Sequence, residues 1–251
     1  MLYKETGSNE APLLVLIHGG GVSGWMWDKQ VEHFASNYHI IVPDLPGHGR
    51  SKEESFSIES SALQMNELIK EKKSDKAVIV IGFSLGAQVL VAMLSKEPEL
   101  IDFAMINSAL VKPIPFANIL IKSMVPAFPL VRNKTFSTIQ AKSMYIDETN
   151  QEKYYQESRQ MKKDVFVRVM QENMSFTIPD GFKNVTSNIL VTVGEKERKV
   201  MKDSMKSLDE SNPYAKGHMI PQIGHGFSLA NAVAFNEMIE EWLNGAGQSK
   251  G

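Results

Sequence analysis

Four short apolar runs, each closed by a glycine, a proline or a polar residue, set the rhythm of the first half of the chain. They cover residues 13–17, 38–42, 77–81 and 103–106. An unbroken apolar run of this length predicts a strand covered on both faces, as in a parallel sheet. Between the runs the spacing changes. Ile58, Ala62, Met65 and Ile69 fall on one face of a helix, and residues 85–96 continue as a helix directly from a glycine-flanked turn. This alternation predicts an α/β fold with a mostly parallel sheet flanked by helices.

The alternation stops between about Lys112 and Val185. There Pro113, Pro115, Pro126 and Pro129 punctuate apolar, Met-bearing helical segments with no strand among them, so the stretch reads as an insertion. Strand character returns at residues 189–193 and 218–220. A last helix places Ala232, Phe235, Ile239, Trp242 and Leu243 on one face, and the Gly/Ser/Lys tail beyond it is expected to fray. No internal repeat is visible.

Composition narrows the possible roles. The chain has 251 residues, 43% apolar and 22% charged, which suits one globular domain with an insertion. Its 27 Lys and Arg nearly balance 29 Asp and Glu, for a formal charge of −2. No basic excess therefore predicts nucleic acid or a membrane surface as a partner. The chain has no cysteine, which removes disulfides, thiolate metal sites and cysteine nucleophiles together. No signal-peptide pattern opens it and no run of about 18 apolar residues occurs, so a cytoplasmic location is expected.

Chemistry enters at Gly82-Phe83-Ser84-Leu85-Gly86, a G-x-S-x-G pattern set between a predicted strand and a predicted helix. A tight strand-to-helix turn forces such a serine into a strained conformation and exposes its hydroxyl at the carboxyl edge of the sheet. Serine is a weak nucleophile at neutral pH and needs a base to take its proton. Of six histidines, His225 in Ile223-Gly224-His225-Gly226 follows the last predicted strand and can return over the same edge. His33, His39 and His218 sit in or beside helix and strand patterns and are expected to be structural. His18-Gly19-Gly20-Gly21 follows the first strand, where glycines allow a main-chain N–H to approach a developing oxyanion. The expected donors are Gly20 and Leu85.

The same glycines admit a rival reading. Gly19, Gly21 and Gly24 also satisfy G-x-G-x-x-G, and Asp44 stands 20 residues beyond Gly24, where a dinucleotide-binding protein places its ribose-binding acid. Against this, Trp25 and Trp27 crowd the turn, the loop 44–51 opens no clean third unit, and Ser84 and His225 are left unexplained.

With HGGG, DLPGHGRS, GFSLG and the late GH in this order, nearly the whole chain resembles the α/β-hydrolase superfamily, in particular the capped group of carboxylesterases, lipases and C–C bond hydrolases. The resemblance implies a core of residues 1–111 and 184–251, a helical cap over 112–183 inserted after the sixth strand, and a triad in the order Ser, acid, His. It makes His48 part of a structural turn. The acid usually stands three residues past a glycine after the strand that follows the cap, and here that position carries Glu197. Glu195 and Asp203 are the alternatives. A longer glutamate in place of the usual aspartate requires a shifted backbone.

The expected function is a serine hydrolase acting on a small, hydrophobic carboxylic ester through Ser84, His225 and Glu197, with no metal or organic cofactor. C–C bond hydrolases, thioesterases, lactonases and cofactor-free haloperoxidases share that machinery. A small-molecule receptor on a hydrolase scaffold is the reading from another class. Ile114, Phe116, Ile119, Ile121, Met124, Val125, Phe128, Met144 and Met170 are expected to supply apolar pocket surface.

Overall fold

The computed structural model describes residues 1–248 and contains a seven-stranded sheet in the order β1-β3-β2-β4-β5-β6-β7. The strands are β1 (Tyr3–Thr6), β2 (Leu13–Ile17), β3 (His39–Pro43), β4 (Val78–Phe83), β5 (Phe103–Asn107), β6 (Asn188–Gly194) and β7 (Ala215–Ile220). All neighbours are parallel except β1, which pairs antiparallel with β3.

The apolar runs are explained by what covers them. On β2, Leu13, Val15 and Ile17 join one core cluster while Leu14 and Leu16 join the other. The first cluster lies under α2 (Ile58–Lys72), α3 (Leu85–Lys96) and α8 (Lys199–Ser211). The second lies under α1 (Asp28–Phe34), the short α9 (Phe227–Ala230) and α10 (Ala232–Gln248). A strand covered on both sides has no polar face to show, so its sequence does not alternate. Helix α2 starts where Ser57 accepts a hydrogen bond from the Ser60 N–H, an N-cap that serves an otherwise unpaired donor. Helix α10 runs further into the Gly/Ser/Lys tail than expected, and the rest of that tail, 249–251, lies outside the described residues.

The expected insertion joins β5 to β6 and is helical: α4 (Ala117–Met124), α5 (Lys134–Ser143), α6 (Glu148–Gln160) and α7 (Lys163–Ser175). Residues 125–132 form a 3-10 segment: Pro126 fits its first turn, while the ring of Pro129, inside it, would clash with the i−4 carbonyl of a continuing α-helix. Two expectations are corrected. The insertion follows the fifth strand, not the sixth, since only one strand, β1, precedes the parallel run. The boundary at 183 falls inside a 3-10 turn, Asp180–Asn184, that belongs to the core: Phe182 is fully buried in the first cluster, and a Cβ on Gly181 would lie 2.1 Å from the Ser95 carbonyl oxygen on α3.

Polar contacts fasten the insertion to the sheet. Ser23 Oγ and Trp25 Nε1 donate to the two Glu157 oxygens at 2.6 and 2.9 Å, and the Ile58 N–H donates to Glu172. Among the described residues no helix is long and apolar enough to cross a membrane.

Candidate active site

Strand order reverses direction between β2 and β4, which sit side by side in the middle of the sheet. Crevices of α/β sheets open at such a point, beyond the carboxyl ends of the strands. There β2 runs into His18-Gly19-Gly20 and β4 into Ser84.

Ser84 has φ 53° and ψ −112°, a conformation that L residues rarely adopt, at the turn from β4 into α3. The flanking glycines make the turn possible. A Cβ on Gly82 would come within 2.5 Å of the Gly86 carbonyl oxygen, and one on Gly86 within 2.4 Å of that of Ile17. Both obstacles are backbone, which cannot swing aside. Gly86→Ala is therefore expected to destabilise the fold by about 1–3 kcal/mol, the usual range for forced overpacking, read as a lower urea midpoint with an unchanged slope.

Successive strand ends deliver the partners. His225, in the loop after β7, has its Nε2 3.0 Å from Ser84 Oγ and its Nδ1 2.7 Å from Glu197 Oε2. A carboxylate only accepts, so Nδ1 carries the proton and Nε2 is free to take one from Ser84. Phe83 packs on the imidazole, with ring centroids 4.9 Å apart.

Glu197 follows β6, is 8% exposed, and accepts three hydrogen bonds: His225 Nδ1 on Oε2, and Ser108 Oγ (2.7 Å) and the Gly194 N–H (2.9 Å) on Oε1. Burial pulls its carboxyl upward. The hydrogen bond and charge of His225, then Ser108 and the Gly194 N–H, outweigh burial and hold it below the ordinary glutamate value. Its extra methylene is absorbed by a turn in which the Glu197 N–H bonds the Gly194 carbonyl and the side chain folds back over that same residue. Glu195 is placed differently: it accepts from the Gln222 N–H at 2.8 Å and braces the loop that carries His225. Asp203 pairs with Lys199 on the surface of α8. Of the three acids, only Glu197 reaches the imidazole.

The two residues expected to supply oxyanion donors lie at the same cavity. Gly20 and Leu85 line it beside Ser84, and a Cβ on Gly20 would lie 3.5 Å from Leu85 Cδ2. Leu85 begins α3, so its N–H has no acceptor within the helix. Gly19 passes so close to the elbow that a Cβ would stand 2.8 Å from the Phe83 ring.

Sequence reasoning missed two supporting residues. Ser108, just past β5, holds the far oxygen of Glu197. His18, fully buried, donates from Nδ1 to the Gly19 carbonyl and accepts the Leu45 N–H on Nε2, tying the glycine loop to the next one. Burial, with the nearby His48, pushes its pKa down to about 3 and keeps it neutral.

The dinucleotide reading meets committed atoms. Asp44 Oδ1 accepts from the Gly24 N–H, and Oδ2 accepts from the Arg50 N–H and Nε. The glycines lead into a 3-10 turn, Gly24–Trp27, with α1 starting only at Asp28, so no α-helix N-terminus stands at the third glycine to receive a pyrophosphate. Among the described residues, no group of three His, Asp or Glu side chains could hold a metal ion.

The cavity over Ser84 measures about 260 Å³ and is walled by the core loops and by α5, α6 and α7. Of the nine residues expected to supply its apolar surface, only Met170 lines it. Phe116 and Ile119 are 80% and 67% exposed, while Ile121 and Phe128 are buried in packing. Helix α4 is amphipathic with Ile121 inward, and the cavity lies under other helices. Tyr154, Ser158, Phe166 and Val169, which do line it, were not anticipated.

A parallel sheet with a serine on a strained elbow defines a class, and the comparisons agree: the sequence profile of the α/β-hydrolase fold matches residues 12–144, and the chain belongs to that family. It is 34% identical over 98 residues to the pimeloyl-[acyl-carrier protein] methyl ester esterase of Nitrosomonas europaea, which covers 39% of this chain and 37% of that protein. Over 90% of this chain and 74% of the other, it is 24% identical to Lipase 1 of Psychrobacter immobilis. The chain spans about a third of the length of the curated relatives it matches over short stretches, 31% and 37% of two of them. Among solved structures, MenH from S. aureus superposes with a TM-score of 0.78 at 19% identity, covering 96% of this chain and 97% of that one, a likeness of fold.

Proposed function

We propose that this chain is a serine hydrolase that cleaves a small, hydrophobic carboxylic ester through an acyl-enzyme. The reading rests on one observation, a strained serine whose Oγ lies 3.0 Å from an imidazole that a buried carboxylate orients. Ser84 Oγ attacks the ester carbonyl as its proton passes to His225 Nε2. The oxyanion of the tetrahedral intermediate is held by the N–H groups of Gly20 and Leu85. Collapse of the intermediate expels the alcohol, which takes the proton from His225. Water then gives a proton to the same nitrogen and attacks the acyl-serine, releasing the acid and restoring Ser84. Glu197 keeps Nδ1 protonated and stabilises the imidazolium formed in both halves.

The helical insertion serves as the cap over this site. A cavity of about 260 Å³ is smaller than the usual range for drug-sized ligands, about 300–1,000 Å³, which favours a compact substrate. Thioesters, lactones and activated C–C bonds would pass through the same steps. The relatives' names support the ester: they include a methyl ester esterase and a lipase.

A fluorophosphonate probe is expected to label Ser84, as read by peptide mass spectrometry, and p-nitrophenyl butyrate to be hydrolysed faster than longer acyl esters. Folded protein that resists the probe yet still binds small esters would instead be a receptor.

A further inference from the structure

The wall that the insertion contributes to the cavity is chemically uneven. Val131, Met161, Phe166 and Met170 make most of it apolar. Set into that surface are Gln140 from α5 and Tyr154 and Ser158 from α6. Tyr154 and Ser158 are buried, and buried polar groups ordinarily have their hydrogen bonds satisfied. Here the partners are one another and the edge of Gln140, and not the core. The Tyr154 hydroxyl reaches Gln140 Oε1 at 3.5 Å, the outer limit of a hydrogen bond, and the Gln140 amide nitrogen has no partner among the described residues. Burial raises the Tyr154 pKa against the pull of its Ser158 hydrogen bond, so the phenol remains a donor.

Charge completes the picture. Among the described residues lining the cavity, no side chain is a cation or a carboxylate. Glu157, the neighbour of Ser158 on α6, is committed to Ser23 and Trp25. An anion entering this cavity would give up its water with no cation to pair with, whereas a neutral oxygen would meet the unpartnered Gln140 amide and two hydroxyls, Tyr154 and Ser158, that can exchange their long or mutual hydrogen bonds for one to the ligand.

We infer that the cavity selects an uncharged ester carrying one further hydrogen-bonding oxygen, a hydroxyl or keto group, received by Tyr154, Gln140 and Ser158, and that it rejects esters bearing a free carboxylate. The inference rests on the acyl-transfer reading for its turnover arm and on the cavity alone for its binding arm.

Three small methyl esters test it: methyl 3-hydroxybutyrate, methyl butyrate and monomethyl succinate. For wild-type protein, kcat/KM is expected to favour the hydroxy ester over methyl butyrate by about tenfold, the scale of one hydrogen bond, and methyl butyrate over the carboxylate by about 100-fold. Tyr154→Phe should reduce the first ratio about tenfold, mainly through KM, and leave the second unchanged. A merely structural tyrosine would lower all three rates together and leave both ratios intact, which overturns the assignment. Calorimetric titration of Ser84→Ala with the same compounds gives a readout without turnover. The same rank order there, with no wild-type turnover of any ester, supports the selection and rejects the hydrolase reading. Monomethyl succinate binding as tightly as methyl butyrate, or none of the three binding, overturns the inference.

Discussion

Ser84→Ala is expected to lower kcat for p-nitrophenyl butyrate by about 10⁴–10⁶-fold, the scale on which loss of a triad nucleophile acts. His225→Ala should cost about as much, and the double variant little more, because in the proposed mechanism the two side chains act as one proton-transferring unit. A residual rate above the buffer background is expected from the Gly20 and Leu85 N–H groups and the cavity, which both substitutions leave in place. Stability should barely change with Ser84→Ala, since alanine must adopt the same φ of 53°. Thermal unfolding of the two proteins would check this, and a loss of activity accompanied by a large fall in Tm would mean that the serine holds the fold and does not do the chemistry.

The parts of this arrangement that the sequence disclosed share a physical cause. Strands β2, β3, β4 and β5 are covered on both faces, so burial writes itself into the residues as unbroken apolar runs. Strand β1, Tyr-Lys-Glu-Thr, lies at the edge and is mostly exposed, so it leaves no such trace. In β7 only Ala215 and Ile220 are buried, so the strand carries no apolar run and only residues 218–220 were read as strand. Ser84 and His225 were legible as positions because local geometry marks their neighbours: glycines that must clear backbone, and a loop at a known edge. Ser108 is marked by no pattern, because what places it is the pairing of β5 beside β6. The cavity wall was misread for a related reason. Helix α6, Glu148–Gln160, is so polar that Tyr154 and Ser158 look like surface positions, and only its docking on the core turns them inward.

The acid provides the sharpest separation between two residues that sequence alone could not tell apart. Glu197→Gln is expected to lower kcat by about 10⁴-fold, with KM little changed. Glu197 Oε1 receives two donors, Ser108 Oγ and the Gly194 N–H, while Oε2 faces His225 Nδ1. In glutamine the remaining carbonyl oxygen must stay with the two donors, which turns the amide NH₂ toward Nδ1. That nitrogen then accepts, the ring proton moves to Nε2, and His225 can no longer take the proton of Ser84. The loss therefore comes from the wrong tautomer, in addition to the missing charge. Glu195 carries no such consequence. Its one backbone partner, the Gln222 N–H, can be met equally by a glutamine oxygen, so Glu195→Gln should reduce kcat by no more than about tenfold through a looser His225 loop. Steady-state kinetics on both variants decide between them: equal damage, or greater damage at Glu195, would mean that the carboxylate 2.7 Å from the imidazole is not the one that sets its tautomer during turnover.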